Sequence, residues 1–139
     1  MNIRTQKDGK QYVLCAWRRR FVRLTPEELV RQTTLQLLVD EYAYPHHLIA
    51  VEVPIEVAGK PKRCDAIVYN QQMQPLMLIE FKAPSVAITQ EVFDQAAIYN
   101  RHLRVPFLML CNGRQSILAQ VTPSAYSLLD HIPQYPEIL

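Results

Sequence analysis

Three ionisable residues interrupt two apolar runs, and their spacing is the first sign of chemistry. Asp65 stands in KRCDAIVYN (62–70), and Glu80 and Lys82 stand in PLMLIEFK (75–82). Both runs read as β-strands, joined by a hairpin around Gln71–Gln74. A hairpin symmetric about Gln72–Met73 sets Asp65 opposite Glu80, with Cβ atoms about 5 Å apart. Side-chain alternation puts Lys82 on the face of Glu80. Two facing carboxylates repel, and a divalent cation between them reverses that. Magnesium takes oxygen ligands and keeps several waters, so one or two carboxylates suffice. Such an ion (magnesium or manganese) acidifies a bound water, clamps a phosphate and offsets charge as it develops. A lysine beside it orients the water or stabilises pentavalent phosphorus. Those needs match phosphodiester hydrolysis. The plainer alternative is an ion pair of Lys82 with Glu80 or Asp65, or three solvated groups. Their occurrence together, between apolar neighbours, favours a site.

The elements that position these residues follow from patterning. Both strands are apolar on both faces, so the sheet should be covered on two sides. Ahead of them, Thr25, Pro26 and Glu28 form the signature of a capping box. That helix should run to about Tyr42, before a turn at Tyr44–Pro45. Residues 49–57 alternate: Ile49, Val51, Val53, Ile55 and Val57 point one way, and Pro54 marks an edge strand. Ala58–Gly59–Lys60 turns the chain. Ala83–Pro84–Ser85 ends the second strand of the hairpin, and Thr89 caps a helix over 89–103. A buried strand over 105–111 follows, with Asn112–Gly113 as a tight hairpin turn into 114–120. Residues 124–131 read as a short helix, and 11–16 and 20–24 as short strands. The expected fold is α/β (α+β): a mixed sheet flanked by helices. A right-handed crossover links parallel strands at 75–82 and 105–111.

Composition narrows the class. The chain has 139 residues, 49% apolar and 20% charged, which suits one domain with a real core and excludes a disordered chain. Its three glycines, Gly9, Gly59 and Gly113, are too scattered for a phosphate-cradling loop. ATP motors and dinucleotide sites of those types are excluded, and the length excludes a helicase. Cysteines 15, 64 and 111 show no CxxC spacing and fit a reducing compartment. With no signal peptide and no apolar run near the ~20 residues of a membrane span, a soluble cytoplasmic protein is expected.

The net charge of +2 is unevenly spread. Arg4, Lys7, Lys10, Arg18, Arg19, Arg20 and Arg23 face Asp8 alone within residues 1–23, and the remainder is acidic. Arg18–Arg19–Arg20 with Arg23, near Trp17 and Phe21, are either a solvated run or a grip on nucleic-acid phosphates. Lys60, Lys62 and Arg63 stand just before Asp65, where they would frame an approaching backbone. Cys64 should point to the opposite face and be core. His46–His47 read as loop residues.

Cys64–Asp65 followed, after a 14-residue gap, by Glu80–Phe81–Lys82 resembles the D…ExK core of the PD-(D/E)xK nucleases. The resemblance narrows with LTPEELVRQ (24–32), Tyr44–Pro45, Lys62–Arg63–Cys64–Asp65, Glu80–Phe81–Lys82–Ala83–Pro84, Thr89–Gln90, Phe93–Asp94–Gln95 and Tyr99–Asn100. Together they look like small stand-alone proteins similar to the N-terminal nuclease domain of type I restriction enzyme R subunits, over about residues 10 to 139. A cysteine precedes Asp65 where the superfamily name has proline.

The resemblance implies a restriction-endonuclease-like fold with an αβββαβ core. It reaches over most of the single domain, 1–139, expected from the length, with the basic strands of 1–23 packed on 24–139. It implies a magnesium-dependent deoxyribonuclease within restriction–modification, without the helicase of a full R subunit. It carries a metal-holding glutamate onto Glu28, with Glu27 as fallback; the other reading is that Glu28 only closes the capping box. Gln95 and Tyr99 match a QxxxY motif that positions DNA or the catalytic centre; the alternative is a helix–sheet contact with Tyr99 as core. Asp65, Glu80 and Glu28 would hold metal, and Lys82 would assist the water. The partners implied are DNA, a second copy of the chain, or helicase and methylase subunits. The rival function is an inactive nucleic-acid-binding or protein-interaction module on the same fold.

Overall fold

A computed structural model describes residues 1–139. Strands β1 (Ile3–Thr5), β2 (Gln11–Cys15) and β3 (Arg20–Arg23) form an antiparallel sheet in that order. Helix α1 (Pro26–Glu41) leads through a 3-10 turn to β4 (Ile49–Val57), β5 (Lys60–Tyr69) and β6 (Pro75–Phe81). Helix α2 (Gln90–Leu103) then crosses to β7 (Phe107–Cys111), followed by β8 (Ser116–Val121) and β9 (Tyr126–Leu129). These last six strands make one sheet in sequential order, parallel only between β6 and β7. The mixed sheet and its α1–β4–β5–β6–α2–β7 core are those expected.

Local chemistry sets the helix ends. The Thr25 hydroxyl accepts the Glu28 N–H at 3.0 Å, and Pro26 occupies a first-turn position whose N–H would be unpaired anyway. Thr89 caps α2 in the same way through Val92, at 3.2 Å. Neither helix is long and apolar enough to cross a membrane.

The sheet is covered on both faces. Val30, Leu35 and Leu38 of α1 pack with Ala66, Val68, Met77, Ile79, Phe81 and Met109. On the other face Phe93, Ala96 and Ala97 of α2 pack with Cys64, Ile67, Leu78, Leu108 and Leu110. Strand β6 thus sends Met77, Ile79 and Phe81 to α1, and Leu78 to the side of α2.

Four expectations need correction. Strand β4 does not keep one face: Ile49 and Val51 join the α1 side, whereas Val53 and Ile55 join the α2 side. Glu52, between them, has φ +52°, and a left-handed residue rotates the strand so that alternation resumes on the other face. Its neighbour β5 rolls at the same level, with Cys64 on the α2 side and Ala66 on the α1 side. Cys64 is fully buried as expected, but its face is that of Leu78, not the opposite one. Residues 124–131 are not a helix; β9 pairs antiparallel with β8. The turn at Asn112–Gly113 spans four residues between Cys111 and Ser116, because Asn112 Oδ1 accepts both the Arg114 and Gln115 N–H groups. Strand β1, wholly exposed, has no apolar pattern that would reveal it.

Candidate active site

Asp65 lies where the β5–β6 ladder ends. Ala66 and Ile79 are the last paired residues, and one step on the Asp65 Oδ2 accepts the Phe81 N–H at 2.8 Å. A side-chain oxygen takes the place of a backbone acceptor, which fixes the carboxylate beside Glu80. From Ala66 to Val68 the register is the one that symmetry about Gln72–Met73 requires, and an irregularity at Tyr69 shifts it by one toward the turn.

Glu80 is held from the other side by the parallel pairing of β6 with Leu110 of β7. Its side chain is only 13% exposed. Burial, then the Asp65 carboxylate, pushes its pKa up to about 8, while Lys62 and Lys82 pull the other way. Buried Glu80 Oε1 has no hydrogen-bond partner. Lys62 Nζ stands 3.7 Å from it, too far for a hydrogen bond.

A cleft of about 130 Å³ opens over Glu80, lined by Lys62, Lys82, Gln95, Tyr99, Val92, Ala96 and Leu110. Gln95 and Tyr99 reach it from one face of α2, since residues four apart are stacked on a helix. Tyr99 is 39% exposed and so is not core. Its ring carries Lys62 Nζ 3.7 Å from the centroid. Lys82 is anchored by its backbone N–H on Cys111 O at 2.9 Å. Its side chain lines the cleft outside every ion pair of the chain, so the ammonium nearest the carboxylates is that of Lys62. Larger hollows lie beside Arg101 and Arg104, about 460 Å³, and beside Tyr12 and Phe21, about 500 Å³. Neither is lined by Glu80, Lys82, Gln95 or Tyr99, which meet in the smaller cleft.

Glu28 is buried but stands apart from that pair. It accepts from Arg18 at 2.5 Å and from Gln32 at 2.9 Å, and Arg31 Nε lies 3.4 Å away. It does not close a capping box either, because the Thr25 N–H goes to Arg23 O at 3.1 Å. Glu27 is exposed. Arg31 links the two regions by donating to Asp65 O at 3.2 Å. No three His, Cys, Asp or Glu side chains are grouped closely enough to hold an ion, so Glu28, Asp65 and Glu80 do not converge.

Of the basic run, Arg18 turns inward to Glu28 and to Glu52, 3.3 Å away, whereas Arg19, Arg20 and Arg23 are exposed. Lys60 and Arg63 are exposed and Lys62 is half-buried. His46 stacks on Trp17, away from the carboxylates. Three members of the network around Glu28 were not foreseen: Arg31, Gln32 and Glu52. Arg31 had a signal, standing three residues after Glu28 on one helix face; Glu52 looked like any outward residue of an alternating strand.

The family described as type I restriction enzyme R protein N terminus (HSDR_N) matches residues 26–133. The chain belongs to that family. Among solved structures it is similar to one described as the fragment structure of a putative HsdR subunit of a type I restriction enzyme from Vibrio vulnificus YJ016. This R-protein N-terminal chain superposes on that fragment with a TM-score of 0.58 over 81% of its own length, at 17% identity. It spans 24% of the fragment, and at that identity the likeness is one of fold. No curated protein compared with it matches.

Proposed function

We propose that this R-protein N-terminal chain is a divalent-metal-dependent DNA endonuclease domain that hydrolyses phosphodiester bonds. The observation that carries the reading is the Asp65–Glu80 pair, in which a buried Glu80 oxygen has no hydrogen-bond partner. Two crowded carboxylates with an unsatisfied oxygen fit a magnesium or manganese ion, which takes oxygen ligands and completes its shell with water. Asp65 and Glu80 would hold it. When bound, it supplies a more acidic water and charge compensation at phosphorus.

The remaining work falls to side chains of the cleft. Lys82, free of ion pairs, orients the attacking water or receives charge developing on the phosphoryl oxygens. Gln95 and Tyr99 form the cleft wall where a nucleotide would lie. Exposed Arg19, Arg20, Lys60 and Arg63 add phosphate contacts, each salt-sensitive. Glu28 joins the metal only if Arg18 releases it. Restriction-modification partners, including helicase and methylase subunits, accord with the family.

The second reading, a nucleic-acid-binding or protein-interaction module, is favoured by one observation: Glu28 is already neutralised by Arg18 and Arg31. Supercoiled plasmid separates the two. Nicking that requires magnesium or manganese, with Asp65→Ala abolishing it and Lys82→Ala lowering it at least about 100-fold, supports the nuclease. Salt-sensitive DNA binding without any metal-dependent nicking supports the module.

A further inference from the structure

We infer that Lys62 is an exchangeable counter-ion: it holds the Glu80 site while no cation is bound, and becomes a phosphate-binding residue when one arrives. This rests on the metal reading above and assigns the site a positioning residue. Lys62 reaches the cleft from β5, where its backbone is paired with Ile55 of the edge strand β4. Its ammonium has two neighbours at once, Glu80 Oε1 at 3.7 Å and the Tyr99 ring centroid at 3.7 Å.

Neither contact saturates it. The Glu80 contact is an ion pair without a hydrogen bond, and the ring offers only its π face. The side chain is 26% exposed, so the ammonium keeps access to water and can move without unfolding β5. A divalent cation on Glu80 would set two positive charges side by side and remove the attraction that draws Lys62 inward. The Tyr99 ring would still seat the ammonium at the rim of the cleft. There a phosphate oxygen is its natural new partner. Metal binding and substrate binding are thereby linked through one side chain.

The test uses the whole chain, with manganese alone as the first probe and calorimetric titration as the readout. Lys62→Met keeps the length of the side chain and removes its charge. It should bind manganese about three- to tenfold more tightly than the wild type, because the competing ammonium is gone. Tyr99→Leu removes the alternative seat and should bind manganese more weakly, whereas Tyr99→Phe keeps the ring and should match the wild type. A purely structural role for these residues gives no such opposite signs. With calcium present and a short duplex as second probe, Lys62→Met should also lose about one phosphate contact, lowering the slope of log affinity against log salt by about 0.9. A wild type that binds manganese while Lys62→Met binds no more tightly overturns this inference and leaves the metal reading intact. Failure of both proteins to bind manganese overturns both.

Discussion

Glu80 is the residue through which pH should act. Its carboxyl titrates at about 8 rather than 4.5, raised by burial and by Asp65. The folded protein therefore retains a proton that the unfolded chain has released. The associated stability is complete below about 4.5, falls as pH rises from there to 8, and is gone above that. A cation offsets the buried charge only where the carboxyl is ionised. We expect the manganese-induced rise in Tm to be small near pH 5.5 and to grow up to about pH 8.5 in scanning calorimetry. Metal-free Glu80→Gln should lack the wild type's decline over the same interval. A manganese shift that ignores pH contradicts the assignment. Asp65, Glu80 and Lys82 could be placed together from the sequence because hairpin register sets Asp65 against Glu80 and alternation puts Lys82 on the face of Glu80, whereas Gln95 and Tyr99 were singled out by the family resemblance and share a helix face by their spacing of four. Arg18 was not. Whether an arginine in a basic run is solvated depends on partners that only folding brings to it, here Glu28 and Glu52.

At the scale of elements, the turns carry the clearest predictions. The β4–β5 connection has Ala58 at φ +53° and Gly59 at φ +77°, the two left-handed positions of a type I′ turn. Glycine suits the second, while alanine is strained at the first. Ala58→Asn should stabilise the protein by about 0.5–1 kcal/mol in urea denaturation, and a loss of stability would contradict the turn assignment. Gly113 is the opposite case, with φ +84° and room for a Cβ only 3.1 Å from Val30 Cγ2. Gly113→Ala should cost about 1–2 kcal/mol by the same measurement. Helix limits were readable because Thr25, Pro26 and Thr89 act locally. Strand β9 was not, since an edge strand with exposed Ser127 and Leu128 shows no alternation to set against a helical reading. The face change in β4 was hidden for a different reason. Alternation reports which residues are apolar, and one left-handed residue at Glu52 alters where they point without altering the pattern.

Across the whole molecule, the question is whether the N-terminal sheet stands with the core. Its own apolar cluster is only Val13, Cys15 and Val22, too few to hold three short strands independently. What binds it to the rest is polar and aromatic. Trp17 donates to His46 O at 3.1 Å and stacks on that imidazole at 4.5 Å, while Arg18 neutralises Glu28 and Glu52. The same network reaches the Asp65–Glu80 pair, because Arg31 pairs with Glu28 and donates to Asp65 O. We propose that residues 1–139 unfold as one unit. Trp17 is the sole tryptophan, so its fluorescence reports the junction while far-UV circular dichroism reports the whole. The two urea transitions should coincide in the wild type. Arg18→Met removes the cation between two buried or half-buried carboxylates and should cost about 3 kcal/mol, with the Trp17 transition moving to lower urea ahead of the dichroism. If the wild-type fluorescence already leads, the basic sheet is a separate unit, and changes at its arginines leave the geometry at Asp65 unaltered.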